Sequence, residues 1–144
     1  MINHDHRGVG ALITNFDRSD FFIQIKDETY PYEKWRGANS LWGGALEEDD
    51  PSELDGLFRE LEEELNWKPD AIPTFMGTFS VASDHIFPIS LFEIVLDQNQ
   101  LQDLAATSKV AEGSGLLIPK NELFINNWVW DLDGIVRIYF ELLK

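Results

Sequence analysis

Gly43–Trp67 reads GGALEEDDPSELDGLFRELEEELNW, and its second half carries the signals of one amphipathic helix. Asp50 can cap the start, Pro51 suits the first helical position, and Glu53 completes a capping box. Leu54, Leu57, Phe58, Leu61 and Leu65 recur at helical spacing as one apolar stripe. Asn66 follows, and asparagine is the best non-glycine residue for a left-handed helix stop. At about 100° per residue, Glu60, Glu63 and Glu64 share a face to one side of that stripe, and Glu53 points much the same way. Like charges at these spacings repel, each pair costing roughly a few tenths of a kcal/mol. Such a patch invites a counter-charge, and oxygen-only ligands suit a hard cation, Mg²⁺ or Mn²⁺, that bridges to a substrate phosphate. On spacing alone, a solvated acidic face is the plainer account.

The whole string changes that balance. Arg59-Glu60-Leu61-x-Glu63-Glu64-x-Asn66-Trp67, after Gly43-Gly44 and an acidic loop, resembles the Nudix box. That pattern is glycine, five residues, Glu, seven residues, then Arg-Glu-apolar-x-Glu-Glu-x-Gly-apolar, and the second half matches here except for Asn66 in place of glycine. The first half departs: counting six on from Gly44 reaches Asp50, which leaves eight residues before Arg59 instead of seven. The loop carries an insertion, and the first acidic ligand stays open among Glu48, Asp49 and Asp50.

The resemblance implies the Nudix fold, an α+β structure in which a central mixed β-sheet lies in an α/β/α sandwich. It implies metal-dependent hydrolysis of a pyrophosphate in a nucleoside diphosphate linked to another group X, with Mg²⁺ (or Mn²⁺) as cofactor. Glu60, Glu63 and Glu64 match the family's metal-binding glutamates, and Glu60 could also orient or deprotonate the attacking water. Arg59 matches the arginine that pairs with a box carboxylate. Gly43 and Gly44 permit close approach of loop to helix, with Gly44 on the substrate side. Family members often add an acidic residue from a later loop, as a further ligand or as the general base. Glu112 is the choice here, because it precedes Gly113-Ser114-Gly115. Glu93 is the rival; it lies in an otherwise apolar strand, where an unpaired carboxylate is costly, and is expected to face solvent on the outer side of the sheet. Trp35, Arg36 and Trp42 are candidates for base or sugar contact, stacking on tryptophan adding ~1 kcal/mol; the alternative is that these aromatics pack in the core. The irregular first half of the box motivates a second function, a catalytically inactive Nudix-fold module that binds nucleotide or regulates.

The whole chain sets bounds. Its 144 residues suit one domain, 1–144, and 44% hydrophobic residues with five Trp and ten Phe argue for a real core. A formal charge of −15 disfavours long nucleic acid and anionic membranes as partners, while a small phosphorylated ligand stays open through a metal that reverses the local sign. The absence of cysteine excludes disulfides and thiolate metal sites and fits the cytoplasm. There is no apolar run long enough to span a membrane and no signal peptide at Met1–Arg7. His4, His6 and His85 make no zinc site, and no P-loop, dinucleotide fingerprint or nucleophile elbow occurs. The aromatic C-terminal third could serve a homodimer interface or simply the core.

Strands are expected at Gly8–Phe16 and Phe21–Lys26, paired as a hairpin, and at Pro73–Ala82 and Ile86–Leu96 around a turn at 83–85. Pro88 places the last of these at an edge or bulge. Gln98–Thr107 reads as a short helix or loop, and Glu112 as lying between a short strand and a glycine-rich turn. A small helix follows Pro119. Asp133 is expected to cap a final helix whose apolar stripe is Ile135, Ile138, Tyr139 and Leu142.

Overall fold

The computed structural model describes residues 7–82 and 86–144; His4, His6, His85 and the turn expected at 83–85 lie outside them. The elements run β1 (Gly8–Asn15), β2 (Asp20–Ile25), β3 (Asn39–Ser40), β4 (Trp42–Ala45), α1 (Glu53–Leu65), β5 (Thr74–Ala82), β6 (Ile86–Leu96), α2 (Gln98–Thr107), β7 (Ser114–Pro119) and α3 (Asp133–Leu142). β1 and β2 form the expected antiparallel hairpin, with Ile13 opposite Phe22. β1 pairs parallel with β6 and β6 antiparallel with β5, so the sheet is mixed.

One edge of β1 is fully taken by β6, from Gly8 opposite Ile89 to Asn15 opposite Leu96. The other is shared: β4 covers Gly8 to Ala11 and β2 takes Ile13 and Thr14. β2 carries β7 along one side and β3 beyond the hairpin on the other. The chain from Asn39 to Ala45 therefore crosses from β2 to β1 in the wedge where these strands splay. Gly43 and Gly44 lie at that crossing.

Side chains of a strand alternate between faces, and the two faces are covered by different helices. Val9, Ala11, Ile13, Phe22, Phe92 and Ile94 pack with Leu57, Leu61 and Leu65 of α1 and Leu101 and Leu104 of α2. Leu12, Phe21, Ile23, Ile89 and Leu91 pack with Ile135, Val136 and Tyr139 of α3. The result is the expected sandwich of helices about a central sheet.

Four local expectations are corrected. The N-cap of α1 is Ser52, whose hydroxyl accepts from the Asp55 N–H at 3.1 Å; Asp50 turns instead to Arg59. No strand precedes Glu112, and Ser114–Gly115 open β7, which pairs along β2. Only Gly113 takes a left-handed conformation there, with φ +70°. Leu132, not Asp133, precedes α3, and the buried stripe is Ile135, Val136 and Tyr139, leaving Ile138 and Leu142 exposed. Both stripes satisfy helical spacing, so periodicity could not separate them.

Two expectations hold and a third holds in part. α2 forms with a full capping box between Asp97 and Gln100. Pro88 itself sits at a local edge, paired only with Ser80 of β5 beyond the first residue of β6 that meets β1, while β6 as a whole is an inner strand between β1 and β5 and not the edge strand expected. Asn66 ends α1 at φ 50°, ψ 46°. Because a side chain at such a position carries strain that glycine lacks, Asn66→Gly is expected to stabilise the protein by about 0.5 kcal/mol and Asn66→Ala to destabilise it by about 1 kcal/mol, read from urea melts.

Candidate active site

Arg59 organises the acidic end of the box. Its guanidinium grips Asp50 through Nε at 3.0 Å and Nη2 at 2.9 Å, and donates through Nη2 to the Ala45 carbonyl at 3.0 Å. Nη1 donates to Glu60 at 2.9 Å and to Glu63 at 3.3 Å, with a Glu47 oxygen 3.4 Å away. Asp50 also accepts the Glu47 N–H at 2.8 Å, which closes the inserted loop on itself. The Arg59 hydrogen bonds, with the one from Glu47, hold the Asp50 carboxyl below the usual carboxylate range. Of the three residues left open for the first acidic position, Asp50 is the one bonded to Arg59.

The other end of the acidic face is pinned to the sheet. Glu64 accepts the Gly43 N–H at 2.7 Å and the Gln24 Nε2–H at 3.1 Å. A methyl group on Gly44 would stand 2.7–2.8 Å from the Glu60 carboxyl atoms, and one on Gly43, at φ +144°, only 2.0 Å from the Val9 carbonyl. Gly43 is thus required for the strands to meet, and a side chain on Gly44 would displace the Glu60 carboxyl. Burial, with Glu60 close by, pushes the Glu64 carboxyl up to about 8 against the Gly43 and Gln24 hydrogen bonds. Glu60 is raised as well, chiefly by burial. Lys26 faces the same cluster: burial lowers it, opposed by the charges of Glu64, Glu112, Asp27 and Glu60. Its ammonium lies 4.8 Å from the centre of the Tyr30 ring.

Next to this cluster the wedge between β1 and β2 opens into a cleft of about 190 Å³. Gly8, Gly10, Gly43 and Gly44 line it alongside Lys26, and Tyr30, Phe87 and Trp130 supply aromatic surface. The Trp130 indole N–H donates to the Tyr30 hydroxyl at 3.1 Å, and Tyr32 meets the Trp130 ring edge-on at 4.7 Å.

The profile of the NUDIX domain matches residues 4–133. The chain belongs to the Nudix family. Solved structures agree on the fold. The NUDIX domain of Shewanella oneidensis NrtR, complexed with ADP ribose, superposes with a TM-score of 0.75 at 13% identity, over 99% of this chain and 90% of that one. A mutT/nudix family protein from Listeria innocua gives 0.72 at 18% identity, over 98% and 95%. The MutT protein from Methanosarcina mazei Go1 gives 0.68 at 19%, over 96% of each. No curated protein matches the sequence.

Within this Nudix domain the residues named from the sequence part company. Glu60, Glu63, Glu64, Arg59 and Gly44 come together, and the Glu112 segment reaches them through Gln24, whose Nε2–H also donates to the Glu112 carbonyl at 3.3 Å. Trp42 does not line the cleft. It is fully buried beneath α1, stacked on Phe22 at 5.0 Å with its indole N–H on the Phe22 carbonyl. Trp35 is also buried, on the α3 side, and Arg36 points outward with its Nε–H on the Tyr30 carbonyl. Trp35 and Trp42 are corrected from substrate contacts to core packing, the alternative open for the aromatics, while Arg36 is an exposed loop residue tied to the backbone of the cleft-lining Tyr30. Trp128 and Tyr139 of the C-terminal third are core as well.

Glu93 is corrected too: it does not face solvent. Strand alternation sends it to the α3 face, away from the box. There it is 4% exposed, gripped by Arg18 at 2.7 and 3.0 Å and by the Tyr139 hydroxyl. Burial alone would raise its carboxyl, but these two donors hold it below the ordinary range. Its stabilising contribution is therefore present above the unfolded carboxylate pKa and lost as pH falls through the lower folded value. Tyr139→Phe is expected to cost about 1–2 kcal/mol of stability in a urea melt at pH 7 and to leave turnover unchanged.

Gln24, Lys26, Tyr30 and Trp130 were not singled out as site residues. A signal existed for the first two: alternation puts Gln24 on the Phe22 face of β2 and carries on to Lys26 just past its end, and two polar residues there required partners on the helix side. Nothing local marks Trp130, which reaches the cleft through a left-handed turn at φ 54°.

The donors present suit a hard divalent cation. They are all oxygens, burial holds the Glu64 carboxyl up at about 8 despite Lys26 nearby, and the Gln24 Oε1 is buried with no partner. Among the described residues no three carboxylates converge as a metal cage. Likewise, no described helix is long and apolar enough to cross a membrane.

Proposed function

We propose that this Nudix domain hydrolyses the pyrophosphate of a nucleoside diphosphate linked to another group, using Mg²⁺ or Mn²⁺ held by Glu60, Glu63 and Glu64. The observation that carries the reading is Glu64, a buried carboxyl near Glu60 that is locked to Gln24 and to Gly43, a residue that itself lines the cleft with aromatic walls.

A bound divalent ion supplies charge neutralisation on adjacent phosphates and acidifies coordinated water. The protein's own residues do the rest. Arg59 holds Glu60 and Glu63 in place and keeps Asp50 and the inserted loop against the helix. Glu60, raised by burial, accepts a proton from the water that attacks one phosphorus. Lys26 presents the positive charge that draws the diphosphate into a protein of net charge −15. Tyr30, Phe87 and Trp130 offer apolar ring surface to a planar or sugar moiety. Glu112 adds a further carboxylate near Lys26. Water adds to one phosphorus, the bridging P–O bond breaks, and two phosphomonoesters leave.

ADP-ribose is the first substrate to test, because a structural neighbour is complexed with it. The expected result with Mg²⁺ is AMP and ribose 5-phosphate, with turnover lost in EDTA. A panel of nucleoside diphosphate sugars, dinucleotides and nucleoside triphosphates, assayed with Mg²⁺ and Mn²⁺, then locates the preferred group X. The extra residue before Arg59 favours a second reading, a nucleotide-binding module without catalysis. Calorimetric binding of panel members with no product from any of them would select it.

A further inference from the structure

Three consecutive residues just before β7 are held by three separate hydrogen bonds. The Ala111 N–H donates to the main-chain carbonyl of Glu64, at the end of α1, at 2.9 Å. The Glu112 carbonyl accepts from Gln24 Nε2 at 3.3 Å. The Gly113 N–H donates to Asp27 Oδ2 at 3.0 Å. Each anchor lies outside the segment and on a different part of the framework: the box helix, the buried side of β2, and the turn after β2. Asp27 is itself fixed, since its other oxygen accepts the Thr29 N–H at 2.8 Å and hydroxyl at 2.5 Å. Gly113 is required, because a Cβ at its φ of +70° would stand 2.2 Å from the Ile25 carbonyl.

An exposed loop is ordinarily tied by its ends. This one is tied on either side of Glu112, at the 110–111 peptide and at both ends of the 112–113 peptide, and the side chain carried between these ties is that of Glu112. We propose that Gln24 and Asp27 are positioning residues that hold the 111–113 strap, itself docked on the box helix through Ala111, and so station Glu112 at the active site. Gln24 serves twice, because the same amide nitrogen also holds Glu64. Asp27 bonds to the strap and its own turn and not to the box carboxylates, with Lys26 as its charged neighbour, so it separates the docking from the box glutamates. The inference rests on the hydrolase reading of Glu112 for its kinetic consequence, while the docking itself does not.

The experiment uses the full chain with Mg²⁺ and ADP-ribose, and hydrogen exchange of peptides covering 108–116. Asp27→Ala is expected to speed exchange in the strap about fivefold without changing α1, and to lower kcat by about fivefold with KM steady. Asp27→Asn, which keeps an acceptor oxygen, should recover most of both. Gln24→Met, which removes donors to both anchors, should lower kcat by about 30-fold. In a Glu112→Gln background Asp27→Ala should cost nothing further, because the strap then has no carboxylate to station. Unchanged exchange in Asp27→Ala overturns the docking. Losses that multiply in the double variant, or that fall on KM alone, overturn the positioning role. If the wild-type chain cleaves no member of the panel, the hydrolase reading fails, and the exchange measurement alone upholds or overturns the docking.

Discussion

Glu64→Gln is expected to lower Mg²⁺-supported turnover by about 100-fold or more while making the metal-free protein more stable at pH 8. The two effects have one cause. Burial pushes the Glu64 carboxyl from 4.5 up to about 8. Between those values the unfolded chain has released its proton and the folded protein still holds it. The metal-free protein is therefore most stable below the unfolded pKa and loses stability as pH rises towards about 8, where the folded form ionises too. Glutamine matches the protonated carboxyl in shape, retains an oxygen for the Gly43 N–H, and cannot ionise. Thermal melts in EDTA from pH 5 to pH 8 should slope downward for the wild type and run flatter for Glu64→Gln. Parallel slopes would show that Glu64 is not the buried proton holder described above.

Arg59→Met should be the most damaging change to the loop. The guanidinium answers Asp50, Glu60 and Glu63 together and stands 3.4 Å from Glu47. Its removal takes from four carboxylates the guanidinium that bonds or faces them and frees the inserted loop from the helix. Breaking such a partly buried cluster is expected to cost about 2 kcal/mol, a fall of roughly 4–8 °C in melting temperature for a domain of this size. Turnover should fall by about 30-fold or more, because Glu60 and Glu63 are no longer held in place. Arg59→Lys keeps the charge but not the two-pronged grip on Asp50, and should recover part of the stability and little of the turnover. Urea melts and kcat on the three proteins check this. An Arg59→Met protein as stable and as active as the wild type would remove the arginine from its organising role.

How much of this was legible in the sequence depended on whether a feature is decided locally. The α1 stripe, the Asn66 stop, the β1–β2 hairpin and the shared face of Glu60, Glu63 and Glu64 follow from periodicity and chirality within a few residues. The cap did not, because Asp50 and Ser52 both suit that position and only the distant Arg59 decides which is used elsewhere. Trp42 and Glu93 failed for the same reason. Trp42 precedes the glycine pair by one residue, yet the β4–β1 register turns its ring beneath α1, where Phe22 waits. Glu93 looked unpaired until Arg18, from the β1–β2 turn, and Tyr139, from α3, arrived to bond it. Gln24 is the opposite case: its place on the same face as Phe22 was readable, but its partners, Glu64 and the Glu112 carbonyl, come from segments far along the chain.

The central claim is that the carboxylates of α1 hold a hard divalent ion, and Mn²⁺ binding followed by electron paramagnetic resonance tests it without any substrate. The wild-type protein should show saturable loss of the free Mn²⁺ signal, displaced by excess Mg²⁺, and the Glu60→Gln, Glu64→Gln double variant should lose it while keeping the wild-type circular dichroism spectrum. Undiminished, saturable binding in the folded double variant, or no saturable binding in the wild type, would contradict the account.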